Sequence, residues 1–112
     1  MAASYVVNLS INAGANFSQS FTLASDGNLL DLTNYEITAV LRKHPLSSTS
    51  VSFSTAIDNE NVGVLKLTMS SILTSQISPG RHVYDVIIRN NNTNEITRVI
   101  EGTIIVTTNV TR

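Results

Sequence analysis

The chain has 112 residues with seven basic and eight acidic side chains, a formal net charge of −1. It is 42% hydrophobic and only 13% charged, about half the usual charged share, which excludes a disordered polyelectrolyte and a protein held to nucleic-acid phosphates by Lys and Arg. Folding should leave roughly 6,000 Å² of surface from roughly 17,500 Å² unfolded, enough for one core and not for two.

The opening Met1-Ala2-Ala3-Ser4-Tyr5 lacks the basic start and apolar stretch of a signal peptide. The longest apolar runs, Val86-Ile87-Ile88 and Ile104-Ile105-Val106, fall far short of the ~20 residues that span a bilayer. The expectation is a soluble protein with no membrane partner. With no cysteine, thiol chemistry and Cys-type zinc sites are absent, and stability rests on packing.

Along the chain the dominant period is two. Phe17, Phe21 and Leu23 share a parity, as do Tyr35, Ile37, Ala39 and Leu41; then Val51, Phe53 and Ile57; then Leu65, Leu67 and Met69; then Tyr84, Val86 and Ile88. Alternate strand side chains face opposite ways, so each segment offers one face to a core and one to water. Asp26-Gly27-Asn28 reads as a tight turn, His44-Pro45 closes a strand, and Pro79-Gly80 begins another turn. Asn90 to Asn94 reads as the link between the Tyr84 strand and the Ile96 strand. Between Met69 and Pro79 the apolar residues 72, 73 and 77 fit a helical face, which predicts one helical turn packed on the sheet. From Glu95 to Val110, Ile96, Ile100, Ile104 and Val106 share a parity. Gly102 inside that run predicts a bulge or a bend dividing it into two strands. The fold expected is all-β: a single antiparallel β-sandwich domain, Ig-like, of seven or eight strands over residues 1–112. Residues 1–14 and 107–112 are then edge strands or interaction arms.

Candidate chemistry is sparse. His82 and Asp85 lie three apart on a strand, hence on opposite faces, and no Gly-x-Ser-x-Gly elbow exposes a nucleophile. His44 and His82 lack a second His or Cys at ligand spacing. Asp26, Asn28 and Asp31 do not reproduce an EF-hand loop; the Asp31 carboxylate is instead placed to accept backbone N–H bonds from the following turn. The sequons at Asn8, Asn16, Asn91 and Asn109 are what a chain rich in Asn, Ser and Thr produces by chance, and glycosylation is not expected without an export signal. Arg42-Lys43 is the one basic pair, with Arg81, Arg89 and Arg98 scattered, so no nucleic-acid partner is expected. Trp is absent, and a carbohydrate-binding adhesion module would want an exposed aromatic platform that is not seen. No catalytic, metal or cofactor residues are therefore assigned, no small-molecule substrate is expected, and a small hydrolase is the least favoured class.

Three stretches together carry a resemblance. Phe17 to Leu23 leads into Asp26-Gly27-Asn28-Leu29-Leu30-Asp31-Leu32-Thr33-Asn34-Tyr35 and a strand ending at Arg42-Lys43. Ile77-Ser78-Pro79-Gly80 then precedes Val83-Tyr84-Asp85-Val86, and Arg98-Val99-Ile100-Glu101-Gly102 follows. This order resembles small β-sandwich structural proteins of tailed bacteriophages, including the N-terminal domain of phage baseplate upper proteins. Asn34 stands where that pattern usually has Gly, and Asn tolerates left-handed φ. The resemblance implies a non-enzymatic virion protein of the tail, baseplate or neck, assembled in the host cytoplasm, with other virion subunits and copies of itself as partners. A capsid (head) decoration protein is the alternative within that class. Baseplate upper proteins continue into fibre or stalk regions while this sequence ends at Arg112, so the expectation is an adaptor, plug or decoration subunit.

Overall fold

A computed structural model describes residues 5–25, 28–29, 31–59 and 63–108. Strand segments are β1 (Tyr5–Val6), β2 (Leu9–Ala13), β3 (Phe17–Thr22), β4 (Ala24–Ser25), β5 (Asn28–Leu29), β6 (Tyr35–Arg42), β7 (Val51–Ser52), β8 (Ser54–Asn59), β9 (Val64–Met69), β10 (Gly80–Asn90) and β11 (Ile96–Thr108), with a single helical turn, α1 (Ser71–Thr74). The larger sheet runs β1-β11-β10-β6-β7, with β2 also on β11; the smaller runs β3-β9-β8, and β4 pairs β5. The two larger sheets pack as a sandwich. β1 and β2 are one line of chain in one register against β11, and β7 and β8 are one line that crosses between sheets at Phe53. The eleven segments thus reduce to seven lines and the small β4–β5 hairpin. The Asp26-Gly27 turn lies outside the described residues.

The alternating residues are the core. Leu65, Leu67 and Met69 from β9 meet Ala39, Leu41, Tyr84, Val86 and Ile88 from the larger sheet, all buried. Phe53, at the crossing, meets a ring on each side, tilted against Phe17 with centroids 5.6 Å apart and edge-on to Tyr84 at 6.4 Å. Aromatic pairs at these spacings add to what their buried area supplies.

Four local readings are corrected. The sandwich is not wholly antiparallel, because β1 and β2 run parallel to β11. Residues 96–108 form one strand, continuously paired with β10, rather than two. Its irregularity sits at Val99, where Val86 faces Ile100 and Ile87 faces Arg98. This bulge reverses the parity, so Ile96 is 60% exposed while Val99 and Ile100 are both buried. The predicted apolar face does not form on α1: Ile72 is 71% exposed, the fully buried residue is Thr74, and the buried Ile77 lies beyond the helix. The Thr74 hydroxyl accepts from the Gly14 N–H at 3.0 Å and donates to the Ala15 carbonyl at 2.8 Å. It satisfies the backbone of the turn that carries the chain from β2 to β3, where Gly14 has φ +89°. An aliphatic side chain there could make neither bond, which outweighs its apolar gain.

Gly102 marks a close approach instead of a bulge. It faces Tyr84 across the β10–β11 ladder. The Val7 carbonyl lies over it, so an added Cβ would sit 2.1 Å from that oxygen. The Tyr84 hydroxyl donates to the same carbonyl at 2.6 Å, the Val7 N–H bonds the Glu101 carbonyl at 2.9 Å, and the Asn8 Oδ1 accepts from the Thr103 N–H and hydroxyl. The break between β1 and β2 is therefore tied to β10 and β11 by hydrogen bonds.

Gly102→Ala should cost about 3 kcal/mol in urea unfolding, since backbone rather than a flexible side chain must yield. Burial also pushes the Tyr84 hydroxyl from the ordinary 10.0 up to about 12. Between those values the unfolded chain has lost the proton and the folded one retains it, so rising pH favours unfolding. Stability carried by this group is complete below pH 10 and is lost as pH climbs through about 12. Tyr84→Phe should remove that component, which paired alkaline titrations of the two proteins will read as a difference in slope.

Candidate interaction surfaces

β10 sends His82 inward, 5% exposed, and places Asp85 on the outer face of the larger sheet. Among the described residues no hydroxyl side chain hydrogen-bonds either of them. The His82 Nε2 lies 2.8 Å from the Ser78 carbonyl, an acceptor, so this nitrogen carries the proton. Nδ1 is then a buried lone pair without a partner among the described residues. His44 is exposed in the loop after β6. Among the described residues no three His, Cys, Asp or Glu side chains gather where they could hold a metal, and no helix is long and apolar enough to cross a membrane.

The Asp31 carboxylate closes a turn, as its spacing predicts: Oδ1 accepts from the Thr33 N–H at 2.9 Å and hydroxyl at 2.6 Å. These bonds, the hydroxyl's first, hold the Asp31 carboxyl below the usual carboxylate range. Asn34 follows with φ +67°, and its carbonyl accepts from the Asn91 N–H at 2.8 Å, joining this turn to the β10–β11 hairpin. That hairpin closes as read, through Asn94 to the Asn90 carbonyl at 2.7 Å and a second left-handed residue, Asn94 at φ +61°.

The outer face of the larger sheet forms a concavity of about 330 Å³ whose lining includes Val40, Arg42, Val83, Asp85, Arg98 and Glu101. Asp85 and Glu101 are direct cross-strand neighbours, an unfavourable like-charge pair. Arg98 relieves it by pairing with Glu101 at 3.3 Å, while Arg42 donates to the Ser47 carbonyl at 2.8 Å. Arg89 pairs with Glu36 on the same face. A second groove, about 300 Å³, opens between β1 and β3 and is mostly apolar, lined by Tyr5, Val6, Val7, Phe21, Thr22, Leu23 and Ile100. Here Tyr5 is 45% and Val6 72% exposed.

Of the two arms, the N-terminal one is an edge strand from Tyr5 to Ala13, and Thr107 and Thr108 finish β11 against Asn12 and Ala13; residues 1–4 and 109–112 lie outside the described residues. Sequence reasoning missed the Val7 carbonyl and Thr74, because their roles are set by partners more than fifty residues away. Gly102 was the available signal for the first.

His82→Leu should change stability by less than about 1 kcal/mol, because it removes the orphaned lone pair along with a bond to an exposed residue's carbonyl that water can replace. His82→Ala should cost about 2–3 kcal/mol, since it empties a packed site; denaturant melts of both variants will separate the two effects.

No family model and no curated protein matches the chain. Among solved structures it is similar to a family 123 glycoside hydrolase from Clostridium perfringens, described in a study of glycolipid glycan hydrolysis, at 13% identity and a TM-score of 0.44. The likeness covers 96% of this chain and 24% of that one, so the chain spans about a quarter of that enzyme's length. At that score it carries no argument about function.

Proposed function

We propose that the chain is a non-enzymatic structural protein of a tailed-phage virion, a tail, baseplate or neck component that works by fitting against neighbouring subunits. The observation that carries this reading is the Asp31–Asn34 turn. Its Asn34, standing where the resembled phage pattern has Gly, holds φ +67°, and the Asp31 carboxylate closes the turn just before it. Tyr84 and Asp85, from the second stretch of the resemblance, lie on β10 at the middle of the larger sheet.

The surface chemistry suits assembly. Residues 1–25 contain no charged side chain, and Ser, Thr and Asn groups are desolvated on contact at lower cost than ions. Strand edges supply main-chain donors and acceptors to a neighbour without any particular side-chain sequence.

Mass spectrometry of purified particles of the phage encoding this chain should find it at a fixed stoichiometry, and gold-labelled antibody should mark the tail or its junction with the head. Label confined to the head surface would favour capsid decoration, and absence from particles would overturn the reading.

A further inference from the structure

β3 is an edge of the smaller sheet: among the described residues it pairs on one side only, with β9. Leu23, the next residue, donates its N–H to Gly63 directly opposite at 2.9 Å. In an antiparallel ladder such bonded residues alternate, so Phe17, Gln19 and Phe21 spend their backbone groups on β9. Ser18, Ser20 and Thr22 turn theirs to the free side. Consistent with this, the Ser20 carbonyl is met by the Gln19 Nε2 of the same strand at 3.2 Å.

This edge lacks the safeguards against pairing that a strand's own residues can supply. It is six residues long, in unbroken register with β9, and without charge or proline. β2, the sheet edge that precedes it through the Gly14 turn, is also charge-free, and the exposed Tyr5 and Val6 border the groove between β1 and β3. The opposite side is guarded: β7 is two residues long, and β8 has a register shift between Ile57 and Asn59. Open edges are thus gathered on one side of the sandwich.

The sequence of the edge names its occupant. Phe17-Ser18-Gln19-Ser20-Phe21 reads the same in both directions. We propose that β3 pairs antiparallel with β3 of a second copy, with Gln19 on the two-fold axis. That register sets Ser18 opposite Ser20 of the second copy, and these are residues whose backbone groups face outward, so the pair can exchange N–H···O bonds. Phe17 falls opposite Phe21 of the second copy as a non-hydrogen-bonded pair, the arrangement in which side chains come closest. The two Gln19 amides meet on the axis and can bond each other. An interface of this kind is isologous and closes at two subunits. The result is a continuous six-stranded sheet. It rests on the assembly reading only in taking contact between subunits to be the chain's work.

The test uses the full chain, which has no cysteine of its own. Sedimentation equilibrium should give twice the chain mass. Gln19→Cys should oxidise to a covalent dimer, because facing non-hydrogen-bonded positions put Cα atoms about 4.5 Å apart, within disulfide range; Ser18→Cys should not. Gln19→Lys and Gln19→Glu should each weaken self-association by roughly tenfold or more through like charge on the axis, and mixing them should restore the dimer. Both sit at a half-buried edge position, so circular dichroism should show the fold retained. A monomeric wild type, a dimer indifferent to Gln19→Lys, or equal cross-linking through position 18 would overturn the proposal. A dimer in solution with the chain missing from particles would sink the virion reading alone, and a virion component with a monomeric β3 edge would sink this inference alone.

Discussion

The structure turns on the contact over Gly102. There the chain's N-terminal strand, its C-terminal strand and the central strand β10 meet at one carbonyl oxygen, that of Val7. The absence of a side chain at Gly102 lets the oxygen approach, and the Tyr84 hydroxyl, reaching over from the neighbouring strand, satisfies it. Because β1 and β2 are fixed to β11 by this contact, the turn at Gly14 has only one place to deliver the chain. That place is the edge of the smaller sheet, on the same side of the sandwich. The chemistry of that side follows from which residues were delivered there.

Packing between the layers depends on the same point. Tyr84 is at once the donor to Val7 and one end of the aromatic series running through Phe53 to Phe17. A buried phenol must bond its hydroxyl or bear the cost of leaving it unpaired. The edge strand therefore supplies the core with an acceptor, while the core supplies the edge strand with its anchor. Thr74 repeats the device at the next turn, bonding both groups that Gly14 and Ala15 present.

Much of this was legible in the residues. Alternation placed Leu65, Leu67 and Met69, and Tyr84, Val86 and Ile88, on the correct face, since one face of each strand meets the core. It failed where apolar residues are adjacent: Val99 and Ile100 give no period, so the bulge that reverses Ile96 left no mark. Ile72 and Leu73 suggested a helical face, but a four-residue turn covers too little surface for apolar spacing to decide its orientation, and a hydroxyl bonded to a distant turn decided it instead. The parallel joining of β1 and β2 to β11 spans 95 residues of register and has no local signature. For the candidate surface, the palindrome at Phe17–Phe21 was readable from the start. What gives it meaning, that this strand is an edge with Ser18 and Ser20 turned outward, required the pairing of β3 with β9.

Native-state amide hydrogen exchange at Val7 and Thr103 tests the anchoring of the N-terminal strand most directly. Their N–H groups bond the Glu101 carbonyl and the Asn8 side chain. If this strand is part of the cooperative fold, both amides should exchange only with global unfolding and share the protection of the β10 core amides. Exchange at the rate of a frayed terminus, with β10 still protected, would contradict the account.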